Sequence, residues 1–416
     1  MTVELSTGAA DDWKAARLRD VATFGSGTTP SRARQEEYFS YGKHLWVKTL
    51  DLNNSIILAT QEKVTDRALE ETSLKIYSAG TVLVAMYGGY QQIGRTGLLS
   101  APASVNQAIT AVTVDQRSLI PAYLLHTLNY HVGYWRSVAS SSRKDPNITG
   151  SDVKDFPILL PRVAEQEAIT EALSDVDRFI SQLEKVITKK KAIIQGMLQQ
   201  LLTGRTRLPG FDAPWSEARL GSLLKRPPRY GINAAAVPLS IDAHTYIRIT
   251  DIDDSGHFAP QPKVGVRHPN AGDYLLNNGE LVFARTGASV GKSYLYNAKD
   301  GALVYAGFLI NIAPDSEVLD PKYLAFFAQT APYWNWVART SVRSGQPGIN
   351  GREYAQLQMA VPDIREQRAI VDAVQKADDE IRLLDRRLTK AKAVKQGMMQ
   401  KLLTGRTRLP VEEGAA

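Results

Sequence analysis

The sequence predicts an α+β chain of two tandem α/β globular segments, each followed by one long helix, the two helices pairing as an antiparallel coiled coil. Three observations within its 416 residues carry that prediction. A stretch of 45 residues occurs twice at an offset of 201, as 165–209 and 366–410, with 25 positions identical and the last seven (Thr203–Pro209, Thr404–Pro410) matching throughout. In each copy the apolar residues recur at steps of four and three, the 3.5-residue period of a supercoiled seam. The segments before each copy hold short β-branched and apolar runs bounded by Gly, Pro and Asn, which is strand patterning. The internal repeat gives the chain an approximate two-fold.

The chain therefore divides into a first globular segment (1–161), a first spacer helix (162–209), a second globular segment (210–362), and a second spacer helix with a tail (363–416). The first segment opens on amphipathic turns and a Gly-rich loop, Phe24–Pro30, which lacks the Lys-Ser/Thr of a phosphate-binding loop and reads as a turn. Strands are expected at Leu45–Leu52, Thr81–Met86 and Ala108–Val114. An aromatic helix follows over Pro121–Val138, then a polar loop Ser140–Asn147 and a strand-like run Val153–Pro161. The second segment repeats this order more loosely. Trp215 and Arg219-Leu220 answer Trp13 and Arg17-Leu18, Tyr246–Ile252 answers Trp46–Leu52, and Gly279–Gly287 answers Gly80–Gly88. Pro321–Val342 and Arg343–Asn350 answer the aromatic helix and the polar loop.

The first seam runs Ile169, Leu173, Val176, Ile180, Leu183, Ile187, Ile194, Met197 and Leu201, broken at Lys190. The second runs Ile370, Val374, Ala377, Ile381, Leu384, Leu388, Ala391, Met398 and Leu402, broken at Lys395. Gly204 and Gly405 stand where a left-handed residue would end each helix. At about 1.5 Å per residue, roughly 38 residues make a rod of about 57 Å. Because one globular segment precedes each helix, antiparallel pairing is expected to carry the two segments to opposite ends of that rod. The near-constant helices then do one job twice, and the divergent segments do related but different jobs.

Hydrophobic content of 44% and charge of 22% are those of an ordinary globular chain. No apolar run has transmembrane length, and the acidic start MTVELSTGAADDWK is unlike an export signal, so a cytoplasmic location is expected. The absence of cysteine removes disulfides, thiol catalysis and cysteine metal sites. A net charge of +7 fits a polyanionic partner. Enzyme motifs are missing. Arg226–Tyr230 contains Pro-Pro but not the acidic or amide group of an amino-methyltransferase, and Pro362-Asp363 with Glu366 has no following Lys to complete a nuclease core. The six histidines form no His-x₃-His pair.

The order and duplication of several motifs resemble the specificity (S) subunit of type I restriction-modification systems over nearly the whole chain. These motifs are Gly25–Ser31 followed by Leu45–Lys48, the Gly-rich Met86–Gly94 and Arg285–Lys292, and the paired helices with their EQ…GM…LLTGR pattern. The resemblance implies two target-recognition domains, each reading half of a bipartite, asymmetric double-stranded DNA sequence. The helices would set the gap and hold two methyltransferase subunits, with endonuclease/translocase subunits joining to give restriction. It implies no catalytic site and no cofactor on this chain; S-adenosylmethionine, ATP and magnesium belong to the partner subunits. The chain departs from the family pattern at Thr28-Thr29 and in its extended MYGGYQQIG loop, so no base contact is carried over through either place.

Reading DNA calls for Arg, Lys, Asn and Gln on loops that fit a groove. The candidates in the first segment are Tyr87, Tyr90, Gln91, Gln92 and Arg95, with Arg143, Lys144 and Asn147 from the polar loop. In the second they are Arg285, Thr286, Ser289 and Lys292, with Arg339, Arg343 and Gln346. Gly88, Gly89, Gly287 and Gly291 are read as shaping turns. The run Lys189–Lys191 is either a phosphate contact or the solvated face of a coil. Three other readings remain open: a DNA-recognition subunit of another phage-defence modification system, a coiled-coil scaffold that binds protein alone, and a self-contained enzyme.

Overall fold

The structure is a computed structural model that describes residues 12–89, 91–139 and 146–410. Contacts divide it into two compact units, Met1–Glu184 with Arg386–Ala416, and Lys185–Asp385. Each unit thus owns one globular segment, one half of the first long helix and the opposite half of the second.

In unit 1, β1 (Lys14–Arg17) pairs antiparallel with β10 (Pro157–Leu160), tying the start of the segment to its end. The main sheet runs in the order β2 (Ala22–Ser26), β9 (Ile109–Val114), β6 (Val82–Ala85), β7 (Thr96–Leu99), β4 (Ser55–Ile57). A smaller sheet has β3 (His44–Val47) between β5 (Glu62–Val64) and β8 (Ala103–Val105). Helices α1 (Gln35–Tyr38) and α2 (Asp66–Glu71) flank that sheet. The chain continues through α3 (Pro121–Tyr130), α4 (Val132–Val138) and α5 (Gly150–Lys154) into the long helix α6 (Val163–Leu201).

The all-apolar β6 has a simple cause. Val82 and Val84 face one core, with Val112, Tyr123 and Trp135, while Leu83 and Ala85 face another, with Val47, Leu52 and Ala111. A strand buried on both faces loses the apolar–polar alternation of a half-exposed one.

Unit 2 repeats the plan. β11 (Ser216–Arg219) pairs with β20 (Gln358–Val361). One sheet has the order β12 (Arg229–Tyr230), β19 (Leu309–Ile312), β16 (Leu281–Ala284), β17 (Ser293–Leu295). The other has β13 (Val237–Pro238), β15 (Val264–Val266), β14 (His244–Ile247), β18 (Leu303–Tyr305). Helices α7 (Pro321–Phe327), α8 (Ala331–Thr340) and α9 (Gly351–Ala355) precede the second long helix, α10 (Ile364–Leu402). β16 is again shared between two cores, Leu281 and Phe283 on one face and Val282 and Ala284 on the other.

The long helices pack together, and antiparallel. In unit 1 Asp177 pairs with Lys395 at 2.5 Å and Glu184 with Lys392 at 2.7 Å, so the partner's number falls as the first rises. Ile169 and Leu173 share a core with Met399, Leu402 and Leu403. In unit 2 Lys190 pairs with Glu380, and Leu198 and Leu201 share a core with Ile370, Val371 and Val374. The two lysines that break the seam pattern thus reach carboxylates on the facing helix.

The ends of the helices account for the duplicated sequence. Glu165, only 2% exposed, accepts from Trp13 Nε1 at 3.2 Å and from Arg408 Nη2 at 2.7 Å. Glu366, 1% exposed, accepts from Trp215 Nε1 at 3.1 Å and from Arg207 Nε and Nη2, both at 2.6 Å. The adjacent glutamines act on the aromatic helices. Gln166 accepts from Ile120 N and donates to Ser118 O and Pro161 O, while Gln367 accepts from Asp320 N and donates to Val318 O and Pro362 O. The EQ pair and the TGRTRLP tail are therefore two parts of one clamp.

Three local expectations change. The aromatic stretch 121–138 is two helices that part at His131. Its counterpart 321–342 is two as well, because Pro332 lacks the N–H that would continue α7 and instead sits in the first turn of α8. Val153–Pro161 begins inside α5, whose Thr149–Asp152 capping box starts a helical turn before strand β10.

Candidate nucleic-acid interface

The two Gly-rich loops lie at matching places, each leaving the buried central strand. In unit 1 Met86 N donates to Ala108 O at 2.8 Å, Ile148 N donates to Met86 O at 3.0 Å, and Gly94 N donates to Ala85 O at 2.8 Å. In unit 2 Arg285 N donates to Phe308 O at 3.0 Å, Ile349 N to Arg285 O at 2.9 Å, and Gly291 N to Ala284 O at 2.9 Å. One backbone frame, bond for bond, carries two different sets of side chains.

The frame is stiff for identifiable reasons. Gly94 has φ +73°, and a Cβ there would lie 1.9 Å from Trp135 Cδ1. Trp135 is itself fully buried and stacked on Phe156 at 5.4 Å. Gly291 has φ +89° and abuts Val337, and its carbonyl accepts from the buried Tyr333 hydroxyl at 2.6 Å. The Tyr354 hydroxyl donates to Ala284 O at 3.1 Å. Burial pushes both tyrosines far up, so they stay neutral donors.

The structure brings the unit 1 candidates Tyr87, Gln91, Gln92 and Arg95 onto one loop. Tyr87 and Gln91 are exposed, and Gln92 and Arg95 half-buried. Asn147 joins them through the bond from its neighbour Ile148 to Met86. Tyr90, Arg143 and Lys144 lie outside the described residues.

In unit 2 the segment 346–349 folds against the loop. Gly287 N donates to Pro347 O at 3.0 Å, Thr286 bridges Gly348, and Gln346 lies against Gly287. Arg285, Thr286 and Gln346 therefore come together, with Ser289 on the next turn. Arg343 is engaged locally: its Nη2 contacts both Glu353 oxygens at 2.5 and 2.7 Å, and its Nη1 donates to Thr340 O and Val342 O. Arg339 Nε donates to Asn335 O within α8. Lys292 leaves the group. It reaches Asp254 at 2.7 Å and lines a cavity of about 500 Å³ together with Asp253, His257 and Trp334. Lys189 and Lys191 are exposed on α6, on either side of Lys190, which pairs with Glu380.

Two aromatic residues join this place without any local sequence motif of DNA contact. The Arg285 guanidinium lies over the Tyr230 ring at 4.9 Å, and Tyr230 OH accepts from Gly351 N at 3.1 Å. Phe308, whose carbonyl holds Arg285 N, is 58% exposed. The one signal in the sequence is the aromatic after Pro-Pro in Arg226–Tyr230, a pattern that by itself points only to an incomplete methyltransferase motif.

Residues 10–193 match the family model of the type I restriction modification DNA specificity domain. The chain is 26% identical over 179 residues to the type I restriction enzyme MjaIX specificity subunit of Methanocaldococcus jannaschii, a match spanning 42% of this chain and 40% of that one. It is 20% identical to the MjaVIII specificity subunit of the same organism, across 96% of this chain and 94% of the relative. The crystal structure of a type I S subunit from M. genitalium superposes with a TM-score of 0.59 at 14% identity, covering 96% of this chain and 98% of the other. Among the described residues no helix is long and apolar enough to cross a membrane.

Proposed function

We propose that this chain, a member of the type I restriction-modification specificity-subunit family, is the non-catalytic subunit that selects the DNA sequence, each unit reading one half of a bipartite, asymmetric target. The observation that carries this reading is the loop frame itself: matched backbone hydrogen bonds in both units, around Met86 in one and Arg285 in the other. Two scaffolds alike in backbone and unlike in side chain suit two related, non-identical half-sites, as a dimer suits a palindrome. Base edges would be met by the loop side chains, and phosphates by Lys and Arg at large. The bond that Arg343 makes to Glu353 would have to open or be shared for Arg343 to reach DNA; Arg285, Thr286 and Gln346 need no such exchange.

The long helices are assigned to holding two methyltransferase subunits and to fixing the gap between half-sites, with endonuclease/translocase subunits joining the same complex. Apolar side chains left exposed on them support docking. Val186 and Ile193, seven residues apart, are 43% and 50% exposed in unit 2, and Phe179 and Val394 are 51% and 48% exposed in unit 1. S-adenosylmethionine, ATP and magnesium are assigned to those partners.

The test is a single-molecule methylome of a host lacking the motif, expressing this chain with the methyltransferase subunit of its system. A bipartite motif with a fixed gap is expected, and exchanging residues 210–362 for those of a relative should change one half alone. Assembly without any methylated motif would refute the reading and leave a protein-binding scaffold.

A further inference from the structure

Three positions that the shared frame superposes carry opposite chemistry. Unit 1 has Ser26 at the strand end, Met86 on the loop and Ala108 behind it. Unit 2 has Tyr230, Arg285 and Phe308. The equivalences follow from pairing: Ser26 lies opposite Thr110 and Tyr230 opposite Ile310, on the strand that also flanks the central one in each unit. Ala108 and Phe308 each accept the loop residue's N–H. Met86 is 7% exposed and its sulfur accepts from the Thr110 hydroxyl at 2.9 Å, so in unit 1 the place is closed and apolar. In unit 2 the Arg285 guanidinium lies over Tyr230, with Tyr230 42% and Phe308 58% exposed.

The Arg285 backbone is pinned on both sides, by Phe308 O and by Ile349 N. Its side chain lies on Tyr230, and its Nε is sealed from solvent without a partner among the described residues. A guanidinium so held presents its two Nη groups as a rigid fork. Among the described residues it makes no ion pair, whereas Arg343 and Lys292 do. A planar pair of donors fits two adjacent acceptors in the plane of a base, and in the major groove guanine alone offers O6 beside N7. A phosphate also accepts such a fork, so the mark of the base contact is its dependence on N7 and O6.

Resting on the DNA-reading function proposed above, we infer that Arg285, stacked on Tyr230, reads a guanine in the half-site of unit 2, and that unit 1 has no equivalent contact. The half-site methylated through unit 2 then contains an obligatory guanine. Replacing that guanine by 7-deazaguanine, which removes the N7 acceptor and leaves the protein intact, should weaken binding of the assembled complex by about 5- to 150-fold. The same replacement should have no effect on Arg285→Ala. In the methylome, Arg285→Ala should make that one position degenerate while every other position is kept. Arg285→Lys, which keeps the charge without the fork, should lose most of the discrimination and so guards against a simple folding defect.

The inference alone is overturned by a bipartite motif with no fixed guanine in that half, by a motif unchanged in Arg285→Ala, or by indifference of the wild-type complex to 7-deazaguanine. A uniform loss of affinity with the motif intact, and a salt slope smaller by about one, would make Arg285 a phosphate contact and also overturns it. Absence of any bipartite motif in the wild-type complex would instead bring down the specificity-subunit reading, and this inference with it.

Discussion

Replacing Arg207 by alanine tests whether the clamp at the helix ends holds unit 2 together. Glu366 is 1% exposed and accepts three hydrogen bonds, two from Arg207 and one from the Trp215 indole. Without the guanidinium a buried carboxylate keeps the indole N–H alone. Breaking a buried ion pair from one side costs about 3–5 kcal/mol, because the remaining charge is uncompensated. Arg207 is itself 25% exposed, so water can partly replace it, and the lower end, about 3 kcal/mol, is the expectation. At about 2–4 °C per kcal/mol for a unit of this size, Tm should fall by roughly 6–12 °C in calorimetry of the full chain. In a Glu366→Gln background, Arg207→Ala should cost less than half as much, since no charge is then stranded. An Arg207→Ala protein melting within about 1 °C of wild type, or an equal loss in both backgrounds, would refute the reasoning. The same logic applies to Arg408 and Glu165 in unit 1.

Three further outcomes are expected. Burial pushes His126 down to about 4, against the pull of Asp177 and with the push of Lys395, so the unfolded chain, near 6.5, takes up the proton first. Stability is therefore full above about 6.5 and falls toward pH 4, by up to about 1.4 kcal/mol per pH unit; Tm against pH should show this slope, and His126→Phe should remove it. Gly94→Ala should destabilise unit 1 by roughly 2–4 kcal/mol, from its positive φ and from the clash with Trp135, whereas Gly133→Ala, in open space on α4, should stabilise by about 0.5–1 kcal/mol in denaturant titration. Deleting one heptad from both helices, Ile180–Val186 and Ile381–Arg387, should keep both half-sites and shorten the gap read by methylome sequencing, seven residues being about 10 Å of helix; an unchanged gap would sink the spacer role.

Legible in the amino-acid order alone is whatever repeats along the chain. The seam lysines, the EQ pairs and the TGRTRLP tails stand out as a pattern, and so does the order of apolar runs. Their reasons do not, because they act at a distance. Arg207 meets Glu366 across 159 positions and Arg408 meets Glu165 across 243, and no local periodicity encodes such a contact. The loop candidates show the same limit. Residue type placed Lys292 beside Arg285, yet one ends against Asp254 and the other over Tyr230. Tyr230 carries only the signal of an aromatic after Pro-Pro, and Phe308 none, because each comes to Arg285 from a separate strand end. The break in the second aromatic helix has a local cause, Pro332, and is readable from the sequence; the break at His131 has none.

The uneven divergence of the two halves has a physical explanation in these contacts. The buried polar side chains duplicated where each long helix begins face partners in this same chain: Glu165 and Glu366 an arginine, Gln166 and Gln367 three backbone groups each. Changing one such residue strands its mate in a buried place, and both copies are held to one solution. The loop frame is also fixed, but by backbone bonds and by tyrosine and tryptophan packed beneath it, which leaves its outward side chains without an obligation inside the protein. Met86 and Arg285 can occupy one position because the frame bonds there only through backbone groups, and each side chain meets its own neighbour, Thr110 in one unit and Tyr230 in the other. A chain whose constraint lies in its ends and seams, and whose freedom lies on two matched surfaces, can change what those surfaces meet without changing what holds them.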